Sequence, residues 1–310
     1  MKRALLFLLT LFQFPVLTAG AQTLFGLRSN DVVAINPTTA AQTYVATLPA
    51  QASMSAIDPA GQRLFLANST SLFTINLRAG TFTQLPLAGA SLQEIVYDPI
   101  TGLLFGLKNS ATTIVTINPA NGALQLLGAT GINSILAGGL SIDAAGRRLF
   151  FIDSRTTLEI FSLQTLTTSS VPLASEVSAA KFDPLTGKLI GATVVSKSFV
   201  LVNPATGAVQ TLAPYPLFQI VGSNVVKIGY DPTSRVAFIY GFTSSSFTFA
   251  IVFINLNTNV VSSINDPAAS FVNPVEIASL ATPVPSLSRW MMAVLMLLLA
   301  FLGVIKIAIR

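Results

Sequence analysis

Two short phrases alternate through most of this 310-residue chain, and their spacing restricts the available folds more than any other property. The first has the form apolar, Asp, Pro, two variable residues, Gly, one variable residue, Leu, Phe. It stands as SAIDPAGQRLFLAN from Ser55, IVYDPITGLLFGLKN from Ile95, LSIDAAGRRLFFID from Leu140, AKFDPLTGKLIGATV from Ala180 and, more loosely, IGYDPTSRVAFIYGF from Ile228. The second ends an apolar run in Ile-Asn-Pro-x-x-Gly: VVAINPTTA from Val32, LFTINLRAG from Leu72, IVTINPANG from Ile114 and FVLVNPATG from Phe199, with degenerate copies IFSLQTLTT from Ile160 and FINLNTN from Phe253. Each phrase encodes a hairpin. The Asp or Asn side chain accepts from the backbone two residues on, Pro presets φ at the next position, and Gly takes the left-handed position that closes a bulged loop.

Asp58, Asp98, Asp143, Asp183 and Asp231 follow one another at intervals of 40, 45, 40 and 48 residues. That period, with four short strands per unit, is the signature of propeller blades. Stretches such as TIVTI and RLFFI are β-branched and aromatic, which suits strands buried between stacked blades. The predicted fold class is therefore all-β. Inner strands are expected near Ser53, Gln93, Gly139, Ser178, Val226 and Val275. The chain starts with a second strand, Thr23 to Leu27, and ends with an unpaired inner strand, Pro274 to Ala281; joining these closes the ring at six blades and removes the exposed edges. A seven-bladed ring remains the alternative, because 128–139 and 214–225 are long enough to hold further strands.

The two ends read as addressing segments. Lys2 and Arg3 precede an apolar run, and Ala19-Gly20-Ala21 offers a small-residue cleavage site, so 1–21 is predicted to be a signal peptide. At the other end, 282–289 forms a linker and 290–309 a transmembrane helix of 20 residues, about 30 Å long. Lys306 and Arg310 flank it, which orients 22–281 outward under the positive-inside rule. These segments also account for the charge. The net charge of +5 is carried by Lys2, Arg3, Arg289, Lys306 and Arg310, which leaves the predicted propeller with 12 basic and 12 acidic residues. A neutral domain lacks the basic stripe of a nucleic-acid-binding surface.

Catalytic signals are sparse. The chain has neither His nor Cys, which excludes Ser-His-Asp and Cys-His chemistry, His-ligated metals and disulfides. The five repeat aspartates and the turn asparagines Asn36, Asn76, Asn118 and Asn203 share one face of the ring. Each aspartate is expected to serve its own turn, and the positions are too dispersed for one cation needing six to eight oxygens within about 2.6 Å. No cofactor and no metal site is assigned. The opposite face carries the longer loops, with Tyr215, Phe218, Phe242, Phe247 and Phe271 as candidate binding residues. Glu94 and Glu276 are expected on inner strands near the channel. The favoured function is noncatalytic binding of a protein or glycan. The alternative is a metal-assisted hydrolase or lactonase using those two carboxylates.

Through the hairpins Asp98 to Gly102, Asp183 to Gly187 and Asn203 to Gly207, about 260 residues resemble secreted bacterial six-bladed propellers of the NHL and surface-lactonase-like type. Such lactonases bind a metal at the channel mouth, but no ligand set is carried over to this chain. The lead-in Val284-Pro285-Ser286-Leu287-Ser288-Arg289-Trp290 is similar to the IPTL-CTERM sorting domain, a relative of PEP-CTERM signals, with core I-P-T-L-S-x-W. Pro285, Leu287, Ser288 and Trp290 match, Val284 replaces Ile and Ser286 replaces Thr. The resemblance implies a Gram-negative envelope protein, exported to face the periplasm and held in the inner membrane by its C-terminal helix. It also implies a sorting protease of the exosortase kind as partner, and later release to the outer surface; a plain anchor in membrane lipid is the alternative.

Overall fold

The computed structural model describes residues 22–87, 91–108, 113–131, 139–220, 227–243, 249–265 and 273–279. These residues build six antiparallel sheets, with the strands in chain order from the centre outward in every sheet but one, whose innermost strand is the last. The innermost strands are Asn273–Ser279, Met54–Asp58, Leu92–Tyr97, Ser141–Asp143, Ala179–Asp183 and Gly229–Asp231. The ring closes as the sequence predicts. Asn273–Ser279 pairs with Gln22–Arg28, so the last strand of the domain supplies the inner strand of its first blade. Gln22 faces Ser279 in that pairing, and the Gln22 side chain donates to Ser234 Oγ in the turn of blade six at 2.9 Å. Both ends of the domain therefore emerge on the face that carries the Asp turns.

Of the two stretches long enough to hold strands of a seventh blade, 214–225 does hold one, Leu217–Ile220, but it joins the sixth sheet. It pairs with the far end of Val236–Thr243, while Gly229–Asp231 pairs with the near end. The inner strand of this blade is thus split in two, and the count stays at six.

The near-continuous apolar runs have a packing reason. Successive side chains of a strand point to opposite faces, and both faces of every blade meet another blade. In blade two, Leu64 and Leu66 join Phe25, Leu27 and Phe73 at the seam with blade one, while Phe65 and Ala67 join Ile95, Leu104 and Val115 at the seam with blade three. Among the described residues the core divides into six such clusters, one per seam. Outer strands such as Thr81–Pro86 are largely exposed, and half of the residues of this one are Thr or Gln.

The turns follow one rule, with one departure from expectation. In each described hairpin of either phrase, the residue four after the Asp, Asn or Ser is left-handed. Gly80, Gly102, Gly122, Gly187 and Gly207 occupy this position, and so do Ala40, Gln62, Arg147, Leu166, Arg235 and Asn259. In the Asp58 and Asp143 turns the glycine therefore stands one place earlier than predicted. Gly61 and Gly146 are required by crowding: a Cβ there would lie 2.2 Å from the Oδ2 of Asp58 or Asp143. Two other glycines separate strain from contact. Gly187 (φ 69°) has open space around it, whereas a Cβ on Gly207 (φ 70°) would lie 1.9 Å from the Pro172 carbonyl of blade four. Gly187→Ala is expected to cost about 1–2 kcal/mol, the left-handed penalty alone. Gly207→Ala adds an overpacking cost of about 1–3 kcal/mol. Urea unfolding of the two variants measures the difference.

Candidate functional site

The inner strands converge on the ring axis and end together at their aspartates, which are 0–6% exposed. Two sequence variants of the turn solve the burial of this charge differently. In the Asp58 and Asp143 turns, where Arg stands five residues on, the guanidinium of Arg63 or Arg148 reaches back to its own Asp Oδ2 at 2.7 and 2.6 Å. It also lies over an aromatic ring, Tyr97 and Phe65 for Arg63 and Phe150 for Arg148. In the Asp-Pro-x-Thr-Gly turns no such Arg exists. Thr101 and Thr186 donate to Asp98 and Asp183 at 2.7 Å, and the guanidinium comes from the next blade, Arg147 onto Asp98 and Arg235 onto Asp183. The remaining Oδ1 atoms accept backbone N–H bonds of their own turns. These oxygens are engaged within their own turns and, at Asp98 and Asp183, in ties to the next blade. Among the described residues no group of three or more Asp or Glu is placed to hold a metal ion.

Inside this rim lies an axial cavity of about 670 Å³, to which all six inner strands contribute. Its girdle is made by the residue that precedes each repeat aspartate: Ile57, Tyr97, Ile142, Phe182 and Tyr230. Pro59, Pro99, Pro184 and Pro232 of the turns surround the mouth, and the side chain of Ile100 beside them is 63% exposed. The mouth therefore opens on the Asp face. On the opposite face, favoured from sequence for binding, the loops 132–138, 221–226, 244–248 and 266–272 lie outside the described residues.

The deep end of the cavity is charged and balanced. Glu94 of blade three accepts from Gly139 N at 2.7 Å and meets Lys181 of blade five at 3.4 Å. Lys181 also donates to the Leu140 carbonyl at 2.9 Å. Glu276 of blade one accepts from Ser55 Oγ of blade two at 3.0 Å, and Lys227 of blade six donates to the Ser53 carbonyl. Glu94 is thus the ion-pair partner of Lys181, and Glu276 lies within the electrostatic reach of both ammonium groups. Desolvation pushes the Glu276 carboxyl up, opposed by Lys181 and the Ser55 hydroxyl; desolvation pulls the Lys227 ammonium down, opposed by Glu94 and Glu276.

This gives a pH prediction with a definite sign. A carboxyl whose folded pKa exceeds its unfolded value near 4.3 binds more protons when folded. Its contribution to stability is therefore most favourable below that value and declines as pH rises toward the folded pKa. Glu276→Gln removes this decline. The stability of the variant minus that of the parent should rise between pH 4 and pH 7 in urea titrations; a constant difference would contradict the assignment.

The residues singled out from sequence are distributed unevenly. Tyr215, proposed as a binding residue, is 4% exposed, packs edge-on against Phe199 at 5.5 Å and donates its hydroxyl to the Thr193 carbonyl. It is a core residue at the seam of blades five and six, and burial raises its pKa. Phe218 and Phe242 stand in the paired strands Leu217–Ile220 and Val236–Thr243. Phe247 and Phe271 lie outside the described residues, as do the signal peptide, the motif residues Val284 to Trp290, Lys306 and Arg310. Among the described residues no helix is long and apolar enough to cross a membrane; the predicted span falls outside them. Glu276 lines the cavity, and Glu94 stands behind it against the lining residue Lys181. Lys181, Ser141 and the girdle residues were not singled out. Their signal was present in the register of the repeat, because they occupy the two positions before each Asp.

A solved structure supports the architecture independently. A chain of the nidogen/laminin complex aligns over 83% of this chain and 97% of its own length, with a TM-score of 0.61 and 14% identity. The likeness is one of fold. No family model matches the sequence, and no curated protein does.

Proposed function

We propose that this protein is an exported cell-envelope propeller that acts as a noncatalytic binding or surface-assembly module, held by a C-terminal helix and sorted through Val284 to Trp290. The observation that carries the binding reading is the axial cavity. It is apolar at the girdle and charge-balanced at the deep end, and it lies within the roughly 300–1,000 Å³ typical of small-molecule sites. Lys181 and Glu276 of its lining are engaged with residues of other blades, which suits recognition on a rigid frame. The export reading rests on the basic and apolar leader. The sorting reading rests on Pro285, Leu287, Ser288 and Trp290 ahead of an apolar stretch with terminal basic residues.

The test is intact-mass measurement on protein recovered from fractionated cells of a Gram-negative host carrying an exosortase-like protease. The expected result is an envelope-associated chain that begins at Gln22 and lacks the segment after the motif. A chain still ending at Arg310 removes the processing step and leaves a plain anchor, and recovery of an uncleaved chain from the cytoplasm overturns the reading.

A further inference from the structure

The deep end of the axial cavity combines hydrogen-bond donors with an apolar enclosure in a way that selects a ligand class. Lys181 and Ser141 stand at equivalent positions on neighbouring inner strands, two residues before Asp183 and Asp143, and both line the cavity. The Lys181 ammonium has three N–H groups. One serves the Leu140 carbonyl at 2.9 Å and one Glu94 at 3.4 Å; among the described residues the third has no partner. Ser141 accepts from Phe182 N at 2.6 Å, and no described residue takes its own hydroxyl proton. The Tyr230 hydroxyl stands nearer the mouth, beside Asp183 and Arg235 of the rim. Above these donors the walls are the aliphatic and aromatic girdle.

Two donors, one of them cationic, at the bottom of an apolar cup match a carboxylate, which has only acceptors and bonds most strongly to charged donors. An alcohol uses fewer of them, and an amine meets Lys181 with like charge. We propose that the axial cavity binds a small organic monocarboxylate with an aromatic or branched aliphatic body, its carboxylate on Lys181 and Ser141 and its body within the ring from Ile57 to Tyr230. The inference rests on the binding-module reading and names the ligand class for it. Glu276 is the anionic group on the same cavity. It opposes such a ligand when ionised and supplies a further donor when protonated.

The experiment is calorimetric titration of the full-length chain in phosphatidylcholine nanodiscs with 3-phenylpropionate, 3-phenylpropan-1-ol and 3-phenylpropylamine. The carboxylate is expected to bind one per chain, at least about tenfold more tightly than the alcohol or amine, since a charge-assisted pair is lost with either. Lys181→Met is expected to weaken it at least about tenfold, Lys181→Arg to retain most of the affinity, and Glu276→Gln to strengthen it by removing a like charge. Because Lys181→Met leaves Glu94 without its ammonium, near-UV circular dichroism and urea unfolding establish that the variant is folded. If it is not, the ligand series and Ser141→Ala, expected to weaken binding about threefold, carry the test. No saturable binding of the carboxylate, equal binding of the alcohol or amine, or unchanged affinity in folded Lys181→Met overturns the proposal. Saturable binding of the alcohol or amine alone overturns the ligand class while leaving a binding cavity in place.

Discussion

Ending the chain at Asn265 is expected to abolish cooperative unfolding, whereas ending it at Ala281 is expected to preserve it. The shorter chain lacks Asn273–Ser279 and with it the whole register from Gln22↔Ser279 to Leu27↔Asn273. Gln22–Arg28 would become an unpaired inner edge with buried backbone donors and acceptors, each costing about 1–3 kcal/mol unsatisfied. Glu276 would be lost too, which leaves Lys227 with less compensation for its desolvation. The sum is comparable to the roughly 5–15 kcal/mol that holds a domain together. Far-UV circular dichroism during urea titration, with size exclusion, checks this. A chain ending at Asn265 that unfolds with the midpoint and slope of the longer one would show that closure contributes little.

The second large effect is at Asp98. Its carboxylate is 0% exposed and carries Arg147 from the next blade, the Thr101 hydroxyl and the Ile100 N–H. Asp98→Ala should destabilise by about 3–5 kcal/mol, because it leaves the guanidinium of Arg147, 24% exposed, without its anion between two blades. Arg147→Ala should cost a similar amount. The double variant should cost clearly less than the sum, because each single loss already leaves the other charge uncompensated. Asp31→Ala provides the contrast. That carboxylate is 32% exposed, 3.6 Å from Arg28, and its loss should cost under about 1 kcal/mol. Additive costs in the Asp98 and Arg147 cycle would mean that the two blades are not coupled through this pair.

What could be read in advance follows from the range of each interaction. Asn36 accepts from Thr38 N and Thr39 N, and Asp231 from Thr233 N, so these turns are satisfied within a few residues and their signal is local. The Arg five residues after Asp58 and Asp143 is local in the same sense and legible as D-x-A-G-x-R. The guanidiniums that serve Asp98 and Asp183 arrive from 49 and 52 residues away, and no short phrase announces them. Tyr215 shows the opposite failure. An aromatic residue after a strand and between two prolines looks like a surface loop, and only the adjacent Phe199 and Ala250 of the seam make it core.

Strand content and blade period were determined by sequence alone, because turn chemistry and two-residue alternation act over distances shorter than one blade; the pairing of the first and last strands followed from the strand count, since ring closure leaves each of them no other partner. The face on which the cavity opens, and the meeting of Glu94 with Lys181 and of Glu276 with Ser55, were decided by the tertiary structure. Those partners are separated by 87 and 221 residues and come together only because ring closure points every inner strand at one axis.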